Sequence, residues 1–328
     1  MVDSKYTVGV DLGGTQIRVG LFDQTGRLLM KDEALTLAQE GSDAVIGRIK
    51  KGIHEVINQA GEQISGSIAG IGVGSPGPLD PFTGVVLSPT TLPGMLDIPL
   101  RQILIDEFQV PVYLNNDANA AALGEWLYGN GRNANNMLYI TISTGIGAGV
   151  IVDGRLLLGE QGSAGEIGHM IIDPRGPLCE CGNYGCWEAC ASGTGIAERT
   201  KHKLVRYANE GKAPFSQSEL YGLEAPTSKD VFAAAIRHDA LAMEIVEETR
   251  TYLGIGLINM INLYNPQKII FGGSVSKAGD FLLKPAVEMA KRQSLLGMRD
   301  VEFTMATLGD NVGLYGAAAL VSYQQQSG

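Results

Sequence analysis

At 328 residues the chain is longer than a single hydrophobic core usually grows, so two domains are the expectation. Its 45% hydrophobic content includes no apolar run long enough to span a bilayer, which argues against a membrane role. The formal charge of -10 argues against nucleic acid as a partner, so any bound phosphate must be held locally by backbone amides, helix ends and a metal ion.

Tyr6-Thr-Val-Gly-Val-Asp11-Leu-Gly13-Gly14-Thr15-Gln-Ile-Arg-Val-Gly-Leu-Phe-Asp23 reads as a strand, a tight glycine turn and a returning strand. Val45, Ile46, Ile49, Ile53, Val56 and Ile57 recur at helical spacing, predicting a helix from Asp43 to Ala60. A strand over 68–74 follows, and Ser75-Pro76-Gly77-Pro78 ends it in a loop. The next strand, 110–114, runs into Asn116-Asp117-Ala-Asn119-Ala-Ala-Ala-Leu, where Asn or Asp caps an alanine-rich helix. Leu138-Tyr-Ile-Thr-Ile-Ser143-Thr144-Gly145-Ile-Gly147-Ala-Gly149-Val-Ile-Val-Asp153 repeats the first hairpin, and both copies end alike in Gly26-Arg-Leu-Leu and Gly154-Arg-Leu-Leu. The chain therefore reads as a duplicated unit. Residues 209–228 carry little pattern and are expected to be loop or insertion. A helix near 243–264 leads to a strand at 268–271, and Gly272-Gly273-Ser274-Val275-Ser276 opens the next element. Alternating strands and helices predict an α/β class with helices packed on mixed sheets. The 44 glycines are expected at strand ends.

The spacing His169-x9-Cys179-x-Cys181-x4-Cys186 has the composition of a closed structural zinc site. Three thiolates and an imidazole fill a tetrahedron with no open position, so the metal is a staple rather than a reagent. It would pin Glu166, His169 and Glu188 into one neighbourhood. In an oxidising compartment Cys179, Cys181, Cys186 and Cys190 would instead form two disulfides, but no signal peptide precedes Tyr6 and a cytoplasmic chain keeps its thiols reduced. Cys190, four residues after Cys186, either replaces His169 as the fourth ligand or fills a small core space.

Asp11-Leu-Gly13-Gly14-Thr15 alone would pass for an ordinary hairpin turn. The second copy, Ser143-Thr144-Gly145-Ile-Gly147, changes that reading. Two glycine turns with hydroxyl side chains can hold a nucleotide's phosphates from opposite sides through backbone N–H and Thr hydroxyls. Asp11 would then help hold Mg2+ through water. Neither turn is a Walker A loop or a Rossmann fingerprint. Asp117 is the candidate catalytic base, although a carboxylate at a helix start can equally be a plain N-cap. Asn116, Glu166, His169 and Glu188 complete a set of neutral and anionic acceptors suited to a polyhydroxylated ligand, since a buried hydroxyl left unpaired costs about 1 to 3 kcal/mol.

Asp11-Leu-Gly-Gly-Thr15, Asn116-Asp117, Glu166-x-x-His169 and Cys179-x-Cys181-Gly-x-x-Gly-Cys186-x-Glu188 resemble the signature of the ROK family (repressors, open reading frames and sugar kinases), in the form its ATP-dependent glucokinases carry. The resemblance covers essentially the whole chain. It implies the two-domain actin-like, ribonuclease H-like fold, with a sugar in the interdomain cleft. The domains would be residues 1–117 plus about 305–328, and 118–304 carrying the zinc site. By the same resemblance Asn116, Asp117, Glu166, His169 and Glu188 bind glucose hydroxyls with Gly77 nearby. Gly13, Gly14 and Thr15, with Thr144, Gly145 and Gly147, are the phosphate loops, and Gly272 and Gly273 line the adenosine pocket. His169, Cys179, Cys181 and Cys186 hold the zinc, and the assembly is a homodimer or homotetramer.

The activity so implied is transfer of the γ-phosphoryl of ATP to the 6-hydroxyl of glucose, with Mg2+ as cofactor and Asp117 taking the hydroxyl proton. The Cys-Gly-x-x-Gly-Cys form separates the chain from fructokinases of the family. Only about five residues precede Tyr6, leaving no room for the helix-turn-helix of its repressors. Kinases for N-acetylmannosamine, mannose or, less favoured, fructose, a polyphosphate- or ADP-using kinase and a non-catalytic sugar sensor stay open. Gln16, Ser143 and Ala148 depart from residues frequent in relatives.

Overall fold

The structure is a computed structural model that describes residues 6–61, 64, 67–211 and 217–327. The chain divides into two compact units. The first comprises Met1–Ala134, Gly149–Ala164 and Ala306–Gly328; the second comprises Asn135–Ala148 and Gly165–Met305.

In the first unit β1 (Tyr6–Leu12) and β2 (Gln16–Asp23) form the expected hairpin, closed by the Gly13 N–H donating to the Gln16 carbonyl at 2.9 Å. β3 (Leu28–Leu35) pairs antiparallel with β2, while β4 (Ile68–Ser75) and β7 (Val112–Asn116) extend the sheet in parallel beyond β1. The sheet order is β3-β2-β1-β4-β7. Ser75, expected in the loop, is the last residue of β4 and pairs with Asn116. The β7 ladder begins at Val112 and not at Val110, because Pro111 has no N–H to give; its carbonyl accepts from Ile71 at 2.9 Å. A small hairpin, β5 (Leu79–Asp80) and β6 (Val85–Val86), lies between β4 and β7 in the chain.

Strand alternation gives β4 two different faces. Ile71 and Val73 join Val8, Val10 and Val19 in a core covered by Val45, Ile49, Ile53 and Val56 of α1 (Ser42–Ala60) and by Leu100 and Leu104 of α2 (Leu100–Phe108). Each such side chain contributes about 1.5 to 3 kcal/mol on burial. Gly70, Gly72 and Gly74 occupy the other face. There α9 (Val312–Ser327) comes so near that a Cβ on Gly72 would lie 1.8 Å from the Ala317 carbonyl oxygen. α3 (Asp117–Tyr128) crosses α9 where a Cβ on Gly124 would lie 2.8 Å from the Gly316 nitrogen. Glycine was expected at strand ends; here it also seats helices in mid-strand.

The second sheet runs β10 (Arg155–Leu156), β9 (Ile146–Val152), β8 (Met137–Ile142), β11 (Lys268–Gly272), β12 (Glu302–Met305). β8–β11 and β11–β12 are parallel, as β1–β4 and β4–β7 are in the first sheet, so the duplication read in the sequence recurs in the topology. Gly26 and Gly154 turn the chain at φ of 80° and 71° after the second strand of each copy. The helices of the second unit are α4 (Trp187–Ala191), α5 (Gly193–Asn209), α6 (Ser228–Ile236), α7 (Ala240–Tyr264) and α8 (Asp280–Gln293). Of the expected loop at 209–228, the described part after α5 is turn and irregular chain; residues 212–216 lie outside the described residues. Among the described residues no helix is long and apolar enough to cross a membrane.

Candidate active site

The first unit carries the candidate base. The Asn116 side-chain oxygen accepts from the Ala118 N–H at 2.8 Å and the Asn119 N–H at 3.2 Å, so Asn116 is the N-cap of α3. Asp117 is therefore the first helical residue, exposed, with Oδ1 accepting from the Ala118 N–H at 2.8 Å. Of the two residues that qualified as cap, the Asn116 amide does the capping, and the Asp117 carboxylate shares the Ala118 N–H with it. The acceptor expected of Asn116 is spent in the cap; a Cβ on Gly77, itself exposed after β4, would lie 3.7 Å from its side-chain nitrogen. Beneath them Asn115 is buried, its side-chain oxygen accepting from the Asn116 N–H at 2.8 Å and the Asn119 amide at 3.0 Å.

The first glycine turn is exposed at Gly14 and Thr15 and tied down from behind. The Thr36 hydroxyl donates to the Gly13 carbonyl at 2.6 Å, and the Thr36 N–H to the Thr15 carbonyl at 2.9 Å. A Cβ on Gly14 would lie 2.8 Å from the Thr91 carbonyl oxygen. Asp11, at the end of β1, is 9% exposed and pairs with Arg18 at 2.9 Å. Burial raises its pKa, and the Arg18 and Lys31 charges oppose that shift. A buried carboxylate of this kind is stabilised by an added cation.

The second unit carries the second turn and the cysteine motif. The Ser143 N–H donates to the Gly145 carbonyl at 2.9 Å, and Thr144 is exposed. The first amides of α5 take the carbonyls of Ser143 (from Gly193, 2.7 Å) and Thr144 (from Thr194, 3.2 Å). Gly272 ends β11 against β8, and Gly273 follows it. A Cβ on Gly273, at φ 87°, would lie 2.3 Å from the Ile142 carbonyl oxygen, and the Ser143 and Ser274 hydroxyls are 3.2 Å apart. Gly147 lies in β9 just past the turn.

His169 closes a short 3-10 turn, Ile167–His169, preceded by Glu166. The ligand atoms of His169, Cys179, Cys181 and Cys186 lie within 4.8 Å of one another. Cys181 and Cys186 Sγ are 3.5 Å apart, and Cys179 Sγ is 3.7 Å from His169 Nδ1. A tetrahedral zinc with Zn–S bonds of about 2.3 Å needs sulfurs about 3.8 Å apart, so the set fits such an ion. All four cysteines are free thiols. Cys190 is fully buried and lies outside the four-residue group, so it fills core space, and His169 is the fourth member of the group that could hold a metal. The loop needs its glycines: a Cβ on Gly185, at φ 73°, would lie 1.5 Å from the Asp173 carbonyl oxygen. Hydrogen bonding from the Asn183 backbone lowers the Cys181 thiol to about 7, while burial pushes Cys186 up to about 12. Burial also raises Glu166, opposed by His169 and reinforced by the charge of Glu188. Glu188, on α4, turns one oxygen to the glycine turn, where Oε2 accepts from the Ile146 N–H at 2.8 Å.

A family model described as "ROK family" matches residues 7–324. The chain belongs to the ROK family. This ROK protein is 39% identical to the glucokinase of Halalkalibacterium halodurans over 99% of its own length and 98% of the relative's. It is 36% identical to the glucokinase of Thermotoga maritima, with 96% of each chain covered. The xylose repressor of Bacillus subtilis is 33% identical over 96% of this ROK chain and 77% of its own. Among solved structures, the ROK hexokinase of Thermus thermophilus superposes with a TM-score of 0.83 at 35% identity, covering 98% of this chain and all (100%) of the other. A ROK family glucokinase of Streptomyces griseus, solved in complex with glucose and AMPPNP, superposes with a TM-score of 0.75 at 30% identity, covering 97% and 99%. The fold of this ROK protein is the actin-like two-domain fold of these neighbours.

Two site residues of this ROK protein were not expected from the sequence. Thr36, which holds the first turn, is 23 positions from Gly13, and only the β2–β3 pairing brings it there. Asn115 falls between the expected strand 110–114 and the expected cap and was given no role, although the run Asn115-Asn116-Asp117 at a helix start is a visible sign of a side-chain network.

Proposed function

We propose that the chain transfers the γ-phosphoryl group of ATP to the 6-hydroxyl of glucose, giving glucose 6-phosphate and ADP. The observation that carries this reading is the division of labour between Asn116 and Asp117: capping falls to the amide, and the exposed carboxylate can accept the hydroxyl proton as attack proceeds. Relatives named glucokinase that match the chain from end to end support it.

On the first unit, Asn116 donates its NH2 to a sugar oxygen beside Gly77, and the turn at Gly13, Gly14 and Thr15 gives N–H groups and a hydroxyl to phosphate oxygens. On the second, Glu166 and Glu188 accept from sugar hydroxyls, Thr144, Gly145 and Gly147 give N–H groups and a hydroxyl to phosphate oxygens, and Gly272 and Gly273 make room for the adenosine. The Cys3His set would hold a structural zinc. With Nδ1 turned to the metal, His169 keeps Nε2–H for a sugar oxygen. Asp11 would meet Mg2+ through water, and the ion, when bound, neutralises charge on the phosphates. A homodimer or homotetramer is the assembly in this reading.

The test is ATP-dependent phosphorylation of glucose, mannose, fructose and N-acetylmannosamine, with polyphosphate and ADP as competing donors and metal quantified in the same preparation. Glucose and ATP giving the highest kcat/KM is the expected result. Glucose binding without turnover on any sugar would move the chain to the sensor class, a reading that the similarity to a xylose repressor keeps in view.

A further inference from the structure

The main-chain carbonyls around the second glycine turn are held by main-chain amides: Ile142 by Val275, Ser143 by Gly193 and Thr144 by Thr194. The amide at its exit, Ile146 N–H, is held by a side chain. That side chain is Glu188, whose Oε2 lies 2.8 Å from the nitrogen. A Cβ at Gly145 would lie 2.2 Å from the same Oε2, so the end of the carboxylate presses on the turn and only glycine leaves room for it. Gly168, beside His169, completes the packing: its Cβ would lie 2.1 Å from the Ile146 carbonyl oxygen and 3.5 Å from Glu188 Cβ.

We infer that Glu188 is a positioning residue for the nucleotide: through Ile146 it fixes the shape of the Ser143–Gly145 turn, independently of any sugar. This rests on the reading of that turn as a phosphate loop. One oxygen of the carboxylate is committed to the turn, which leaves Oε1 for a sugar hydroxyl. A single side chain two residues beyond Cys186 then reaches the sugar directly and the nucleotide through Ile146, tying the cysteine loop to the donor side. Its charge is not what the turn requires. A carboxylate beside phosphates repels them, so the useful property is an acceptor at the right reach.

The experiment is calorimetric binding of AMPPNP with Mg2+ in the absence of any sugar, on metal-loaded wild type, Glu188→Gln, Glu188→Asp and Glu188→Ala, each checked for thermal unfolding. Gln keeps an oxygen at the same reach and removes the repelling charge, so it should bind as wild type does or more tightly. Asp keeps the charge and falls one carbon short, and Ala removes the acceptor; both should weaken binding by about tenfold. Rescue by Gln together with loss in Asp supports the inference even where Ala fails to fold. Equal binding in Asp and wild type, or loss in Gln with retention in Asp, would overturn it. A wild type that binds no nucleotide would instead overturn the phosphate-loop reading, and the inference with it.

Discussion

Asn116 Oδ1 sits 2.8 Å from the Ala118 N–H, a bond that makes the amide, and not the neighbouring Asp117 carboxylate, the N-cap of α3. Because the cap is supplied by the amide, Asp117→Asn should leave α3 intact, with an unchanged unfolding temperature and retained glucose binding. Its kcat should fall by about 100- to 10,000-fold, the span of general base catalysis. Steady-state kinetics beside glucose titration checks this, and a mutant that keeps its kcat would remove Asp117 from the chemistry.

Asn116→Asp separates the two ends of the same amide. The carboxylate still caps α3, so thermal stability should hold, but the NH2 group is gone. Glucose KM should rise about tenfold with kcat changed less. Asn116→Ala should add a stability loss of about 1 kcal/mol that the Asp variant does not show.

Removing the metal should act on the sugar first. Chelated protein loses the orientation of His169 and should show a glucose KM about 10- to 100-fold higher. Nucleotide affinity should fall less, since the α5 amides and the Val275 N–H still hold the second turn. Metal content, glucose KM and AMPPNP binding followed through one chelation and zinc re-addition check the order.

Asp11 gives a pH dependence of stated sign. Burial raises its pKa above 3.8, so the folded state binds the proton more tightly than the unfolded one. Its contribution to stability is therefore fully present below 3.8 and declines as pH rises through the folded pKa. Mg2+-dependent nucleotide affinity runs the other way, lost as pH falls through that same raised value. Asp11→Asn should flatten both profiles and weaken the Mg2+ dependence; a pH series of unfolding and of AMPPNP binding measures them.

Trp187 is fully buried between Cys186 and Glu188 in the chain, and a Cβ on Gly256 would lie 2.1 Å from its ring. Gly256→Ala should therefore push α4 away from α7. A loss of about 1 to 3 kcal/mol is expected in the unfolding transition, with metal affinity lowered alongside.

The local signals in the sequence were strong where chemistry and spacing coincide. The two hairpins, α1 and the Cys3His set appear where the residues indicated, while β7 starts two residues later and β4 runs one residue further than expected. Local reasoning could not choose between Asn116 and Asp117 as cap, because both residue types cap equally well and the choice depends on how the chain leaves β7. Nor could it find Glu188 on the Ile146 amide, a bond across 42 positions that exists only once β8, β9 and α4 are packed. The glycines of β4 read as punctuation because their reason, the α9 backbone, lies far along the chain.

The seat that Gly72 offers to Ala317 is filled by a helix synthesised near the end of the chain. The first sheet has all its strands once Asn116 leaves the ribosome, yet the helix for its glycine face emerges roughly 200 residues later. Until then a smooth, uncovered face waits, and the second unit can fold before the first is finished. A chain cut short before Val312 would thus be damaged in the part made first.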